Sequence, residues 1–286
     1  MIKSPSWRTG RGRLAKLSLT TPTGASAEIY RYGAHVTSWT TAAGREWLFL
    51  SNQAQFEPGK AIRGGVPVIF PQFSGFGQSQ RHGFARNMEW QLSSEPKASA
   101  EEASCRFLLQ ADAQSLALWP YKFRAEFALR LRDAQLDMTL SIRNTDEQPF
   151  SFTAALHTYF AVTDLQQVQL RGLKDVSYWD NNGSDFKRDR FVSQYDTLEF
   201  PDAIDRVFFD NSKPLQLVDG DDQLTIENRG FREVVVWNPG AEATKQLNDM
   251  GDEEYSQMLC VEAAIIDQPI RLMPGESWSG AQVLRA

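Results

Sequence analysis

Chemistry in this chain is most readily placed at His157 and Glu262, and at three arginines that punctuate one glycine-rich stretch. Glu262 lies in MLCVEAAII, with apolar neighbours on both faces of a strand. A carboxylate taken out of water is costly unless it is paired, hydrogen-bonded or neutralised. The same desolvation tunes a carboxyl into a general base. The plainer reading is an ion pair to an arginine that fixes sheet register. His157 lies in PFSFTAALHTYF, on a small polar strand face with Ser151, Thr153 and Ala155, where a ligand can lie without displacing core. Imidazole titrates near neutrality and suits a general acid. The alternative is a core histidine satisfied by a backbone carbonyl.

Residues 62–90 (IRGGVPVIFPQFSGFGQSQRHGFARNMEW) carry Arg63, Arg81 and Arg86 among glycines, which let the backbone approach a ligand, and among Val66, Val68, Ile69, Phe70, Phe73, Phe76 and Phe84. The guanidinium is a fixed positive fork suited to carboxylate or phosphate. This combination describes a wall that grips a small anion. Its bland counterpart is a crossover whose arginines are merely solvated. His82, between Arg81 and Gly83, reads as a ligand donor or a support for one. Asp205, in AIDRVF, reads as an acid or turn residue just before a β run.

The elements that must hold these residues are short and β-like. AEIYRY, HVTSWT and EWLFL follow one another, punctuated by Gly24, Gly33 and Gly44; His35 is read as structural. The clearest periodicity covers residues 124–132, where Ala125, Phe127, Leu129 and Leu131 alternate with a mostly charged set. In residues 136–143, Leu136, Met138, Leu140 and Ile142 do the same. With Asp133-Ala134-Gln135 between them, they predict an antiparallel hairpin with one wet face. Residues 149–160 predict a single strand, residues 94–103 a loop tip, residues 114–119 a short helical turn, and residues 180–190 a turn-rich connection. Residues 1–16 read as a lead-in segment. IDRVFFD, DQLTIEN, REVVVWNPG, QMLCVEAAII and SWSGAQVLR add further strands. No repeat, long helix or domain boundary is visible. The fold class expected over residues 1–286 is all-β, one large antiparallel sandwich or barrel.

A net charge of −6 and a pI near 5.2 argue against nucleic-acid or anionic-membrane partners. An anionic ligand would need a local positive pocket on an acidic body. Cys105 and Cys260 form no CxxC pattern, and His35, His82 and His157 are scattered, so neither a disulfide framework nor a metal site is expected. No P-loop or dinucleotide motif calls for a nucleotide cofactor. Without a signal-peptide core or a run of 18 apolar residues, the chain reads as cytoplasmic and reduced.

Taken in order, IRGGVPVIFPQF, RHGFAR, LHTYF, IDRVF, VVWNP and MLCVEAA resemble the glucose-6-phosphate 1-epimerases (hexose-6-phosphate mutarotases), the phosphosugar branch of the aldose 1-epimerase family. The resemblance covers roughly residues 25–285. It implies a β-sandwich of the galactose-mutarotase type, no cofactor, and a small phosphosugar substrate; we expect a monomer. It also implies His157 as general acid, Glu262 as general base, Arg63 and Arg86 on the substrate and its phosphate, and Asp205 on sugar hydroxyls. Arg81 departs from the family pattern, standing where an uncharged residue, often Gln, is usual; it and His82 are candidate substrate contacts. Ala263-Ala264 and Pro239-Gly240 replace pairs that many relatives fill with Pro or Trp, which bears on the pocket's outer shape. The chemistry would be ring opening and reclosure at the anomeric carbon, for which one acid and one base suffice. The alternatives are an epimerase for free aldoses, a non-catalytic carbohydrate-binding or sensing module, and a glycosidase with two carboxylates.

Overall fold

In the computed structural model, residues 6–181 and 189–286 are described. They form an antiparallel β-sandwich. One layer is a ten-stranded sheet centred on the predicted hairpin, which runs as Phe123–Arg132 and Gln135–Asn144 with Leu131 opposite Leu136. Ser277–Arg285 pairs the other side of Gln135–Asn144. The facing layer has eight strands. Its path runs Arg190–Val192, Ser177–Asp180, Ile204–Phe208, Glu233–Asn238, Met258–Leu272, Phe150–Leu156 and Val68–Ile69, with Tyr159–Ala161 also beside Met258–Leu272. A four-stranded sheet from the start of the chain completes the architecture.

Period-2 alternation explains the layering. Leu129, Leu131, Met138 and Leu140 of the ten-stranded sheet meet Leu156, Val236, Leu259, Val261 and Ile265 of the eight-stranded one in a single core. Leu17, Ile29 and Trp39 of the small sheet join them. Each fully buried Leu or Phe there stabilises the fold by about 1.5–3 kcal/mol. With the odd-numbered residues of Met258–Leu272 turned inward, Cys260, Glu262 and Ala264 fall on the sheet's other face.

The structure departs from expectation in three places. Residues 149–160 are not one strand. Phe150–Leu156 and Tyr159–Ala161 both pair with Met258–Leu272, and His157-Thr158 interrupts them. There His157 N–H donates to Pro67 O, and Thr158 O accepts from Val261 N–H. The lead-in is structured where it is described, since Ser6–Thr9 pairs with Ala15–Thr20. Within the expected loop tip, Lys97–Ala98 pairs with the strand Ala103–Gln110. The helical turn before Pro120 is present as Ala113–Leu118, capped by Asp112, whose side chain accepts from Ser115 N–H. Much of the turn-rich connection, residues 182–188, lies outside the described residues.

Arg63 is delivered by a tight Gly64-Gly65 bend. At Gly65 φ is +59°, and a Cβ would lie 2.1 Å from Val36 O. Gly220, in the hairpin between Leu215–Asp219 and Asp222–Arg229, has a similar φ of +63° with nothing within 4 Å. Gly220→Ala should therefore cost only the left-handed backbone penalty, about 1–2 kcal/mol. Gly65→Ala should cost about 1–3 kcal/mol more, because the backbone must also move. Equal losses in urea unfolding would show that the bend accommodates a side chain.

Candidate active site

The outer face of the eight-stranded sheet carries a cleft of about 340 Å³. All seven residues singled out in the sequence line it: Arg63, Arg81, His82, Arg86, His157, Asp205 and Glu262. They arrive from three directions. Glu262 stands on the Met258–Leu272 strand, opposite Val235, and Asp205 on Ile204–Phe208, opposite Trp237. His157 sits in the break after Phe150–Leu156. The arginines and His82 come from the long segment that crosses this face.

His157 Nε2 lies 3.4 Å from Glu262 Oε1, and both side chains are almost wholly removed from solvent. Glu262 Oε2 and His157 Nδ1 meet no other group among the described residues. Burial drives both toward neutrality. The Glu262 carboxyl is held well above the usual carboxylate range, by burial first and by the nearby Asp205 second, with Arg86 opposing. The His157 imidazole is held well below its usual value by burial, then by His82, Arg86 and Arg63. Neither a lone carboxylate nor a lone imidazolium is comfortable here. One proton held between the two keeps the pair neutral, so it titrates as a unit. That places a proton donor beside a proton acceptor on the floor of a cleft.

His82 is fixed in one tautomer. Ser74 N–H donates to His82 Nδ1 at 3.3 Å, so the neutral ring carries its proton on Nε2. Burial and the charges of Arg86, Arg81 and Arg63 push its pKa down to about 2. The result is a neutral N–H donor in the cleft wall. The loop that carries it turns at His82 (φ 65°) and Gly83 (φ 66°), where a Cβ on Gly83 would lie 2.1 Å from Phe70 O. Asp205 accepts from Asn181 Nδ2 at 3.1 Å, and burial raises its pKa while Asn181 and Arg81 counteract.

The three arginines are not equivalent. Arg63 is matched by Asp249, whose Oδ1 accepts from Nε at 3.1 Å, and it also donates to Tyr159 Oη at 3.1 Å. Arg81 and Arg86 form no ion pair with a carboxylate among the described residues, and Arg86 Nε is buried without a partner there. Burial lowers the Arg86 pKa to about 10, which still leaves it charged at neutral pH. This is the positive pocket on an acidic body that an anionic ligand requires. His35 lies away from the cleft: its Nε2 is 2.7 Å from Gly64 O, and burial holds its pKa near 4, as befits a structural residue bracing the Arg63 bend.

The cleft also uses residues the sequence reading passed over. Tyr159 and Trp237 line it, as does Asn181. Tyr159 had a signal: it stands two positions after His157, where a continuous strand would put both on one face. Asp249 had none, because it meets Arg63 from far along the chain in an irregular loop.

The chain matches the family described as aldose 1-epimerase over residues 15–285. A Cenchrus ciliaris protein provisionally named glucose-6-phosphate 1-epimerase is 39% identical over 297 residues, covering 100% of this chain and 87% of the relative. A crystal structure of a provisionally assigned mutarotase from Salmonella typhimurium superposes with a TM-score of 0.90 at 28% identity, covering 99% of this chain and 93% of that one. A galactose mutarotase related enzyme from Lactobacillus acidophilus, 16% identical, shares the fold with a TM-score of 0.72 over 93% of this chain and 96% of its own. Matched along nearly all its length, the chain belongs to the aldose 1-epimerase family.

Proposed function

We propose that the protein interconverts the α and β anomers of a hexose 6-phosphate, glucose 6-phosphate first among them, with His157 and Glu262 as the proton-transfer pair. The observation that carries this reading is the buried His157–Glu262 pair, 3.4 Å apart, in a cleft that also holds two arginines without carboxylate partners among the described residues. The two oxygens that exchange protons in mutarotation, the C1 hydroxyl and the ring oxygen, share one carbon. They need an acid and a base side by side, as these groups are.

The Glu262 carboxylate takes the proton of the C1 hydroxyl. His157, as imidazolium, gives its proton to the ring oxygen. The C1–ring oxygen bond breaks and its electrons leave on that oxygen, while C1 becomes an aldehyde. Rotation about C1–C2 presents the other aldehyde face. The ring hydroxyl then attacks C1, returning its proton to His157 as Glu262 reprotonates the new C1 oxygen. The two neutral arrangements of the pair are thus the states before and after opening: carboxylate with imidazolium, then carboxyl with imidazole. Each group can contribute about 10²–10⁴-fold.

His82 Nε2–H and Asp205 offer one donor and one acceptor for sugar hydroxyls. Arg86 and Arg81 offer the counter-charge for the phosphate, so that binding far from C1 orients the reacting carbon. A free aldose would leave those two charges unanswered.

Magnetisation-exchange NMR on glucose 6-phosphate should show anomer exchange well above the spontaneous rate, reduced about 10²-fold or more in His157→Asn and in Glu262→Gln. Wild-type exchange no faster than buffer would defeat the reading.

Arg86→Ala should weaken capture of the phosphosugar by about 1.5–3 kcal/mol, roughly tenfold to a hundredfold, while changing glucose turnover little. An equal loss for both sugars would mean that Arg86 does not meet the phosphate.

A further inference from the structure

The imidazole of His157 has no carboxylate behind it, only a contact with its own backbone that favours the charged ring. Its far nitrogen, Nδ1, is buried and makes no well-formed hydrogen bond among the described residues. An acid–base histidine is ordinarily oriented through that atom. Here two aromatic rings take over. Tyr159 stacks on the imidazole with centroids 4.8 Å apart and planes 10° from parallel. Trp237 presents its ring nearly edge-on to both, with centroids 6.0 Å from each. The phenol is tied at its far end, since Tyr159 Oη accepts from Arg63 Nη1 and Arg63 is in turn held by Asp249. Its backbone is held as well: Tyr159 N–H donates to Gly65 O and Phe49 N–H donates to Tyr159 O.

We infer that Tyr159 is the positioning residue of the acid: its ring sets the plane of the His157 imidazole, and its π face stabilises the imidazolium that ring opening requires. The inference rests on the reading of His157 as the acid. The groups around the imidazole make such help necessary. His82, Arg63 and Arg86 face it, and none of them favours a second positive charge. Glu262 is the only acid within ion-pair distance among the described residues, and it must give up its negative charge as the reaction proceeds. Asp205 lines the same cleft and raises the Glu262 pKa, and the buried Cys260 stands beside Glu262 on the same strand face. Besides the backbone of His157 itself, the stacked aromatic ring is the neighbour that can favour the cation, by an amount that grows when the pair is dry. The Asp249–Arg63 clasp keeps that ring parallel to the imidazole.

The test replaces the ring without removing its volume. Tyr159→Phe is compared with phenylalanines carrying one and three ring fluorines at position 159, which withdraw π density at nearly constant shape. Two readouts are taken on the full chain. The first is the pH profile of anomer exchange, separated into kcat and KM. The second is the 15N shift of His157 at neutral pH, which reports the proton's share on the imidazole and needs no turnover.

Tyr159→Phe, which gives up the tie to Arg63, is the reference from which the fluorinated rings are read. Each added fluorine should lower kcat with little change in KM. It should also move the alkaline limb of the profile to lower pH, by about half a unit to one unit across the series. The His157 share of the proton should fall in the same order. Identical limbs and identical 15N shifts across the series would overturn the inference while leaving anomer exchange by the wild type intact. Absent exchange in the wild type would instead overturn the proposed function, and the 15N series would still decide whether the stack favours the imidazolium.

Discussion

A carboxyl and an imidazole brought together at the nearly solvent-free floor of a cleft are the constraint around which this site is built. Neither Glu262 nor His157 tolerates charge alone at its depth, and each is tolerable only because the other stands 3.4 Å away. That mutual dependence limits how far the Glu262 strand can shift against the break that carries His157. It also explains why the floor is β-sheet. Antiparallel neighbours hold side chains on adjacent strands at a set spacing, and the interruption at His157-Thr158 lets the imidazole leave the strict pleat to reach the carboxyl.

The rest of the site is a graded surround. Close to the pair lie His82, whose neutral form is favoured by burial and the neighbouring arginines, and Asp205, whose pKa is raised by burial. Further out the charges are full. Arg63 is spoken for by Asp249, whereas Arg81 and Arg86 are available to an incoming anion. In the proposed reaction, the place where protons move is thus separate from the place where charge is read.

Much of this was legible in the chain. Alternation in residues 124–143 encodes a half-wet hairpin, and that hairpin forms the centre of the larger sheet. Glu262 was visible because a carboxyl in MLCVEAAII has no solvent to face on either side. His157 was visible because Ser151, Thr153 and Ala155 leave room on its face. The seven named residues converge on one cleft. The interruption at His157-Thr158 was not legible, because LHTYF satisfies a continuous strand pattern; the hydrogen bonds to Pro67 and Val261 that break it come from distant segments. The Arg63–Asp249 pair was hidden for the same reason. The ordering of Ser6–Thr9 was hidden too, since a strand with all four residues exposed carries no alternation to read.

The two unneutralised arginines have a consequence beyond holding a ligand in place. The protein as a whole is acidic, so a doubly charged small anion is repelled by most of its surface and drawn toward a single opening. Field lines converge where like-signed charges line a concave, low-dielectric wall, and diffusing ions of the opposite sign are funnelled along them. Encounter with such a cleft quickens as the ionic atmosphere thins and slows once the screening length shrinks below the width of the opening.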